Sequence, residues 1–369
     1  MLRRFFLFIS LSLTLALPAS AEIDTSGGKL EVTPVLEGLS NPWAFGFLPG
    51  GEIVLTETDG RVLLAVPGAG LRELAGGPDV VDRGQGGLLD VLVPRDFSEN
   101  RELFFTFSKR QRLGGSNTAV ARAVLNDAQT ALTGLETIFE AAPGASGGRH
   151  FGSRLVEARD GTLLFTIGDR GDRPSAQDLS IENGSVVRIA RDGSIPADNP
   201  FAMGGGQPGI WSFGHRNPQG MALDRDGRIW AVEHGAAGGD EINLVERGVN
   251  YGWPVISYGR HYSGARIGEG TERPGMAQPE FYWDPSIAPS GMMIYSGALW
   301  PDWTGDIFVG SLKFDMISRL EMGDEMREAE RIASGETLRV RDIREAPDGS
   351  IWFLSVGNGA LYRLAPAAS

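Results

Sequence analysis

The chain has 369 residues, of which 41% are hydrophobic and 22% charged, with no cysteine and a formal net charge of −13 at neutral pH. Without cysteine there is no disulfide, thiolate–metal centre or covalently attached haem, and the excess of acid argues against nucleic acid or an anionic membrane as partner. The length suffices for one large β architecture or for two domains.

Residues 1–21, MLRRFFLFISLSLTLALPASA, pair the basic Arg3 and Arg4 with an apolar run from Phe5 to Leu17, then Pro18 and an Ala19-Ser20-Ala21 cleavage pattern. This predicts a secretory leader and a mature chain over 22–369, located in the periplasm or secreted. The run is too short to span a bilayer comfortably, and no later stretch offers about 18 uninterrupted apolar residues, so no membrane insertion is expected.

One unit then recurs along the chain: LPGGEIVLTE (48–57), the divergent SENRELFFTFS (98–108), ARDGTLLFTIGD (158–169), LDRDGRIWAVEH (223–234), PDWTGDIFVGSL (301–312) and APDGSIWFLSV (346–356). Each is a turn followed by an alternating apolar strand, the hairpin signature. A second short strand follows most of them, as in GRVLLAVPG, GSVVRIARDG and GALYRLAP. Six such units predict an all-β fold, a single six-bladed β-propeller of four-stranded antiparallel sheets. An eight-stranded sandwich would not explain the recurrence along the full length. The Glu/Arg-rich MGDEMREAERIASGE is too short to compete as a helix and lies between strand signals.

In a propeller the loops between strands converge on one mouth, and several of them carry unusual clusters. GQGGLLD (84–90) sets Gln85 among glycines, where backbone approaches a flat ligand closely; a glycine-rich turn reads equally well. GGRHFGSRLV (147–156) holds His150, one of only four histidines, and FGHRNPQG (213–220) holds Arg216 and Asn217. EHGAAGGDEINLVERGVNYGWP (233–254) joins a Gly/Ala loop, two acids and a Tyr-Gly-Trp-Pro corner, and is also readable as a blade connection with a packed aromatic. Lys313, Arg339 and Arg341 follow, each singly a solvated surface charge. Strand alternation would place Arg339 and Arg341 on one face, where two like charges want an anion between them. With Lys313 they suit a ligand bearing several carboxylates.

The segments GLSNPWAFGFLPGG, GQGGLLDV, GRHFGSRL, TIGDRGDRPSAQDL, PADNPF, GHRNPQGMALD, HGAAGGDEINLVERGVNYGWPV and RVRDIREAPDG together resemble, in the same order from about residue 34 onward, the soluble quinoprotein sugar dehydrogenases of the glucose/sorbosone dehydrogenase family, in particular its periplasmic aldose sugar dehydrogenase branch. The resemblance implies pyrroloquinoline quinone and calcium as cofactors, and oxidation of aldoses to lactones. It places the general base on His150. Gln85, Arg216 and Asn217 fall on the positions lining the cofactor ring, with Arg216 also stabilising charge during hydride transfer; Lys313, Arg339 and Arg341 fall on those meeting its carboxylates. Gly147, Gly148 and Gly152 are expected to keep the mouth open for a pyranose. Carbonyls of Gly235 and Ala236 correspond to ligands of the cofactor calcium, and Glu241 and Tyr251 to a second, structural calcium site. Two departures stand out: Ala236 replaces the family's proline, and Arg149 replaces an acid of the glucose-specific branch. The electron acceptor implied is a diffusible quinone or a cytochrome, since no GxGxxG stands between a strand and a helix to hold a nicotinamide. A monomer is the default expectation. Two other readings remain, a calcium-dependent lactonase-type hydrolase and a carbohydrate- or protein-binding propeller without catalysis.

Overall fold

The structure, a computed structural model, describes residues 21–367. Apart from Ala21, which opens a strand, the expected leader lies outside the described residues. Six antiparallel sheets follow one another around an axis. Blade 1 comprises Pro42–Phe47, Ile53–Glu57, Val62–Val66 and Gly70–Leu74, and blades 2 to 5 repeat that order with first strands at Leu88–Leu92, Leu155–Glu157, Pro218–Leu223 and Pro289–Ile294. In blade 6, Val340–Glu345, Ile351–Ser355 and Ala360–Pro366 are joined by Gly28–Leu36 from the other end of the chain. The first strands touch in sequence around the ring, that of blade 6 returning to that of blade 1.

The expected six sheets are present, and each repeated unit supplies the turn and second strand of a blade. Blade 6 carries one strand more than expected, because Ala21–Thr25 folds back on Gly28–Leu36 in register, Ile23 opposite Leu30. MGDEMREAERIASGE contributes a turn and the strand Arg327–Ile332. The longest helical segment among the described residues, Arg173–Gln177, is a single 3₁₀ turn.

The second strands are buried on both faces, as Ile53–Glu57 is throughout, because every blade packs between two others. Alternation here decides which neighbour a side chain meets. Phe45, Leu55 and Leu63 pack on Leu354 and Leu361 of blade 6, whereas Ala44, Val54 and Leu64 pack on Leu88, Val91 and Phe105 of blade 2.

Within those interfaces one polar contact recurs. The buried hydroxyls of Thr56, Thr106 and Thr166, each on a second strand, accept the N–H of Ala44, Asp90 and Arg154 from their own blade. The same hydroxyls donate to the carbonyls of Leu89, Ser153 and Pro218 in the next blade. Each threonine therefore satisfies two buried backbone groups at once and joins adjacent sheets. Thr106→Val, nearly isosteric, should cost about 1–3 kcal/mol by leaving both groups unpaired. A lowered thermal midpoint in calorimetry is the expected outcome, and an unchanged one would show the joint to be dispensable.

Candidate active site

First strands begin, and second strands end, at the same end of the ring, so the loops flanking them surround one mouth. There they enclose a cavity of about 740 Å³ whose wall includes Trp43, Gln85, Gln219, His234, Lys313, Arg339 and Arg341, with Asp82 as the single carboxylate among the described lining residues.

His150 lies in the loop before the first strand of blade 3, at φ +56. This left-handed conformation persists in a non-glycine residue only when its surroundings over-determine it. They do so here: Gln85 Oε1 accepts the His150 N–H at 2.7 Å, and Asn217 Oδ1 accepts that of Gly152 at 3.0 Å. Backbone closes in as well, since a Cβ on Gly168 would stand 2.3 Å from the His150 carbonyl oxygen. Gly148 and Gly152 serve the same close packing rather than an open mouth, with Arg83 and Thr166 carbonyls 2.8 Å from where their Cβ atoms would be.

The imidazole Nδ1 is 2.6 Å from Oδ1 of the buried Asp169. That carboxylate also accepts the Gly171 N–H at 2.7 Å and the Trp253 indole N–H at 2.9 Å. Burial pushes the Asp169 carboxyl up, but the hydrogen bonds and the charge of His150 outweigh it and hold it below the usual carboxylate range. An ionised acceptor at Nδ1 keeps the ring proton there and leaves the lone pair on Nε2. Burial lowers the His150 imidazole; Asp169 raises it; Arg216 and Arg149 lower it again, so it is a neutral base at pH 7.

Arg216 is buried, donates from Nη1 to the His234 carbonyl at 3.2 Å, and lies 5.3 Å from the Trp253 ring centroid. The three other predicted cations face the large cavity with main-chain or amide acceptors. Lys313 Nζ reaches the Ser286 carbonyl at 3.1 Å, Arg339 Nη1 that of Leu312 at 2.9 Å, and Arg341 Nη1 the Gln219 Oε1 at 2.8 Å. Burial, with the charges of Arg339 and Arg154, lowers Arg341 to about 10. Strand alternation is not what joins Arg339 to Arg341. Arg339 precedes the strand at φ +50 and the ladder shifts register between Val340 and Asp342, so a loop and a strand contribute one cation each.

Below Arg341 the axis is plugged by charge. Arg154 reaches Asp342 at 2.9 Å and Asp90 at 3.2 Å, and Arg344 bridges the same two acids at 2.9 and 2.7 Å. Arg154 also lies 4.7 Å from the Trp43 ring centroid and donates to the Gln219 carbonyl, which ties the plug to the cavity floor.

The residues expected in two calcium sites are partly brought together. Gly235, Glu241 and Tyr251 border one small cavity of about 10 Å³, together with Glu233; Ala236 is on the wall of neither cavity. Burial and the neighbouring Glu233 push the Glu241 carboxyl well up. Among the described residues no three His, Cys, Asp or Glu side chains converge as a metal cluster.

Asp169, Trp253 and Arg170 are the site residues that sequence reasoning missed. Arg170 lies over the Phe151 ring and donates to the carbonyls of Arg149 and Gly147, which clasps the His150 loop. A signal for Asp169 existed: it follows the second strand of its unit, as His234 and Lys313 do in theirs, and from that position Thr58, His234, Lys313 and Val356 reach the cavity wall in four blades.

His234 carries a stability consequence. It is half-buried on the cavity wall, and desolvation followed by the charges of Arg216 and Arg341 holds its imidazole well below 6.5. As pH falls through about 6.5 the unfolded chain takes up the proton first, so this contribution is complete above that pH and lost below it. The wild type should lose more thermal stability between pH 7.5 and 5.5 than His234→Gln; parallel curves would contradict this.

The profile of the glucose/sorbosone dehydrogenase family matches residues 39–363. Aldose sugar dehydrogenase YliI of Escherichia coli is 39% identical over 359 residues, covering 95% of this chain and 94% of its own length. The apo-form crystal structure of the soluble aldose sugar dehydrogenase of E. coli superposes with a TM-score of 0.88 over 92% of this chain and all of that one. The pyrroloquinoline quinone-bound aldose sugar dehydrogenase of Streptomyces coelicolor gives 0.73 at 25% identity, over 94% of this chain and all of that one. With a six-bladed ring, a cation-lined mouth and a match over nearly all of its described length, the chain belongs to the glucose/sorbosone dehydrogenase family.

Proposed function

We propose that the protein is an exported aldose dehydrogenase that uses pyrroloquinoline quinone and calcium to oxidise the anomeric carbon to a lactone. The observation that carries the reading is the His150–Asp169 pair beside a cavity walled by Lys313, Arg339 and Arg341, none of which has a carboxylate within ion-pair distance. A planar ligand with three carboxylates matches that donor set, and the cavity of about 740 Å³ is in the range of cofactor sites. Gln85 and Asn217 spend their amide oxygens on backbone N–H groups, which orients both side chains and leaves each NH₂ for a ligand.

When bound, the quinone supplies the hydride acceptor and calcium supplies a Lewis acid. His150 takes the anomeric hydroxyl proton on Nε2, and Asp169 steadies the imidazolium that results. Arg216, buried and without a carboxylate partner, offers positive charge where negative charge develops. Carbonyls of Gly235 and Ala236 would hold the cofactor calcium, and Glu241 with Tyr251 a second ion. The Glu241 carboxyl beside an ion-sized space supports the second assignment, whereas the Tyr251 hydroxyl is already bound to the Glu246 N–H and the Leu244 carbonyl. A lactonase-type reading would need acids and amides ringing a central metal, whereas the described wall of the large cavity offers one acid, Asp82, against three cations.

Dye reduction by the purified protein with an aldose panel should require both pyrroloquinoline quinone and calcium. His150→Ala should lower kcat by about 10²–10⁴, and failure of the cofactor to support any turnover would overturn the reading. Arg341→Ala should weaken cofactor binding by about tenfold or more, as expected on losing one charge-assisted hydrogen bond. Fluorescence titration reads that loss directly, and undiminished affinity would remove Arg341 from the site.

A further inference from the structure

The described lysines and arginines that lack a carboxylate within ion-pair distance are unevenly placed. Away from the mouth they are only Arg72, Arg159, Arg225 and Arg247; the rest belong to the loops and strand ends around the mouth. In a chain of net charge −13 this is a deliberate surplus. Lys313, Arg339 and Arg341 answer to the carboxylates of the proposed cofactor. Arg83 and Arg149 do not.

Those two occupy loops that touch on one side of the mouth. Gln85 N–H donates to the Gly148 carbonyl at 2.8 Å, and a Cβ on Gly148 would lie 2.8 Å from the Arg83 carbonyl oxygen. Arg83 is two residues from Gln85, and Arg149 is next to His150. Both are exposed, and neither guanidinium donates a hydrogen bond within the described residues. Arg149 lies along Gly171, where any Cβ would come within 2.4 Å of its Nε. The side chain, though exposed, is therefore laid against the loop that carries Asp169.

A fixed cation beside a general base opposes the very protonation that catalysis requires. The opposition disappears when the substrate brings a negative charge of its own. Resting on the proposed function, we infer that the preferred substrate is an aldose bearing a carboxylate, a hexuronic acid, whose carboxylate is gripped by Arg149 and Arg83 while its anomeric carbon faces His150. Hexuronates carry that group at C6, on the C5 that only the ring oxygen separates from C1, and guanidinium is the side chain suited to a bidentate carboxylate contact. The C1 hydrogen leaves with its electron pair for the quinone, the O1 proton goes to His150 Nε2, and the C1–O1 bond becomes a carbonyl. The product is an aldaric acid lactone, and the carboxylate itself is unchanged.

The test compares kcat/KM for galacturonate and glucuronate with galactose and glucose, using the holoenzyme at low ionic strength. Calorimetric binding of methyl galacturonoside and methyl galactoside, whose blocked anomeric oxygen prevents oxidation, is measured alongside. Each uronate should exceed its neutral counterpart by about tenfold, as one charge-assisted pair allows. That ratio should collapse towards one in Arg149→Gln and in Arg83→Gln and fall with added salt, and the binding preference for the charged glycoside should go with it. Using ratios within each variant removes any general loss of folding. Neutral sugars turned over as well as uronates, or a preference that survives both substitutions, would overturn this inference and leave the proposed function standing. Absence of turnover with every sugar would overturn both.

Discussion

The four charges on the propeller axis do what no apolar contact could do there. Asp90, Asp342, Arg154 and Arg344 belong to blades 2, 6 and 3, and Asp342 also accepts the Phe45 N–H of blade 1 at 3.3 Å. Inner strands diverge around a hollow axis that side chains must fill, and a buried acid or base is tolerated only when paired and hydrogen-bonded on all sides. Because both arginines touch both acids, removing any one leaves a buried charge uncompensated. Through Arg154, which contacts Trp43 and Gln219, the same plug forms the cavity floor and locates Arg341. The mouth is thus shaped from below by a contact that spans four blades.

Above that floor the electrostatics run the other way, with cations left unpaired. His150 is kept neutral by burial and by two nearby arginines, while Asp169 restrains its tautomer. The same low-dielectric setting that makes an unpaired guanidinium costly makes it useful when an anion arrives. Stability conceded at the mouth is offset by the apolar interfaces between blades and the threonine joints within them.

Much of the architecture was legible in the sequence because the propeller repeats its turn-and-strand unit, and a repeat shows itself without knowledge of contacts. The site was less so. His150, Gln85, Asn217 and the cations stood out as unusual residues in glycine-rich loops, but their partners did not. Asp169 sits in a Gly-Asp-Arg run that reads as an ordinary turn, and only the fold brings it from the end of a second strand to the imidazole. Arg339 and Arg341 meet as expected for a different reason, since a left-handed residue and a shifted ladder are invisible to an alternation rule. The extra strand of blade 6 was hidden for a related reason: Ala21–Thr25 is short, polar on alternate residues, and paired only with its own neighbour.

The pairing of Leu30 with Pro366 has a consequence for the order of events in the chain's life. Five sheets can form from contiguous sequence, but the sixth needs both ends, so the ring is an open arc until the last strand has been made. Closing so long a loop adds little free energy per added residue, because the entropic cost grows only logarithmically, yet it comes last of necessity. Until then the edge of Gly28–Leu36 and the flank of blade 1 stay bare. A nascent molecule of this design is a horseshoe with two adhesive ends, and whatever shepherds it before closure must keep those ends from finding another copy.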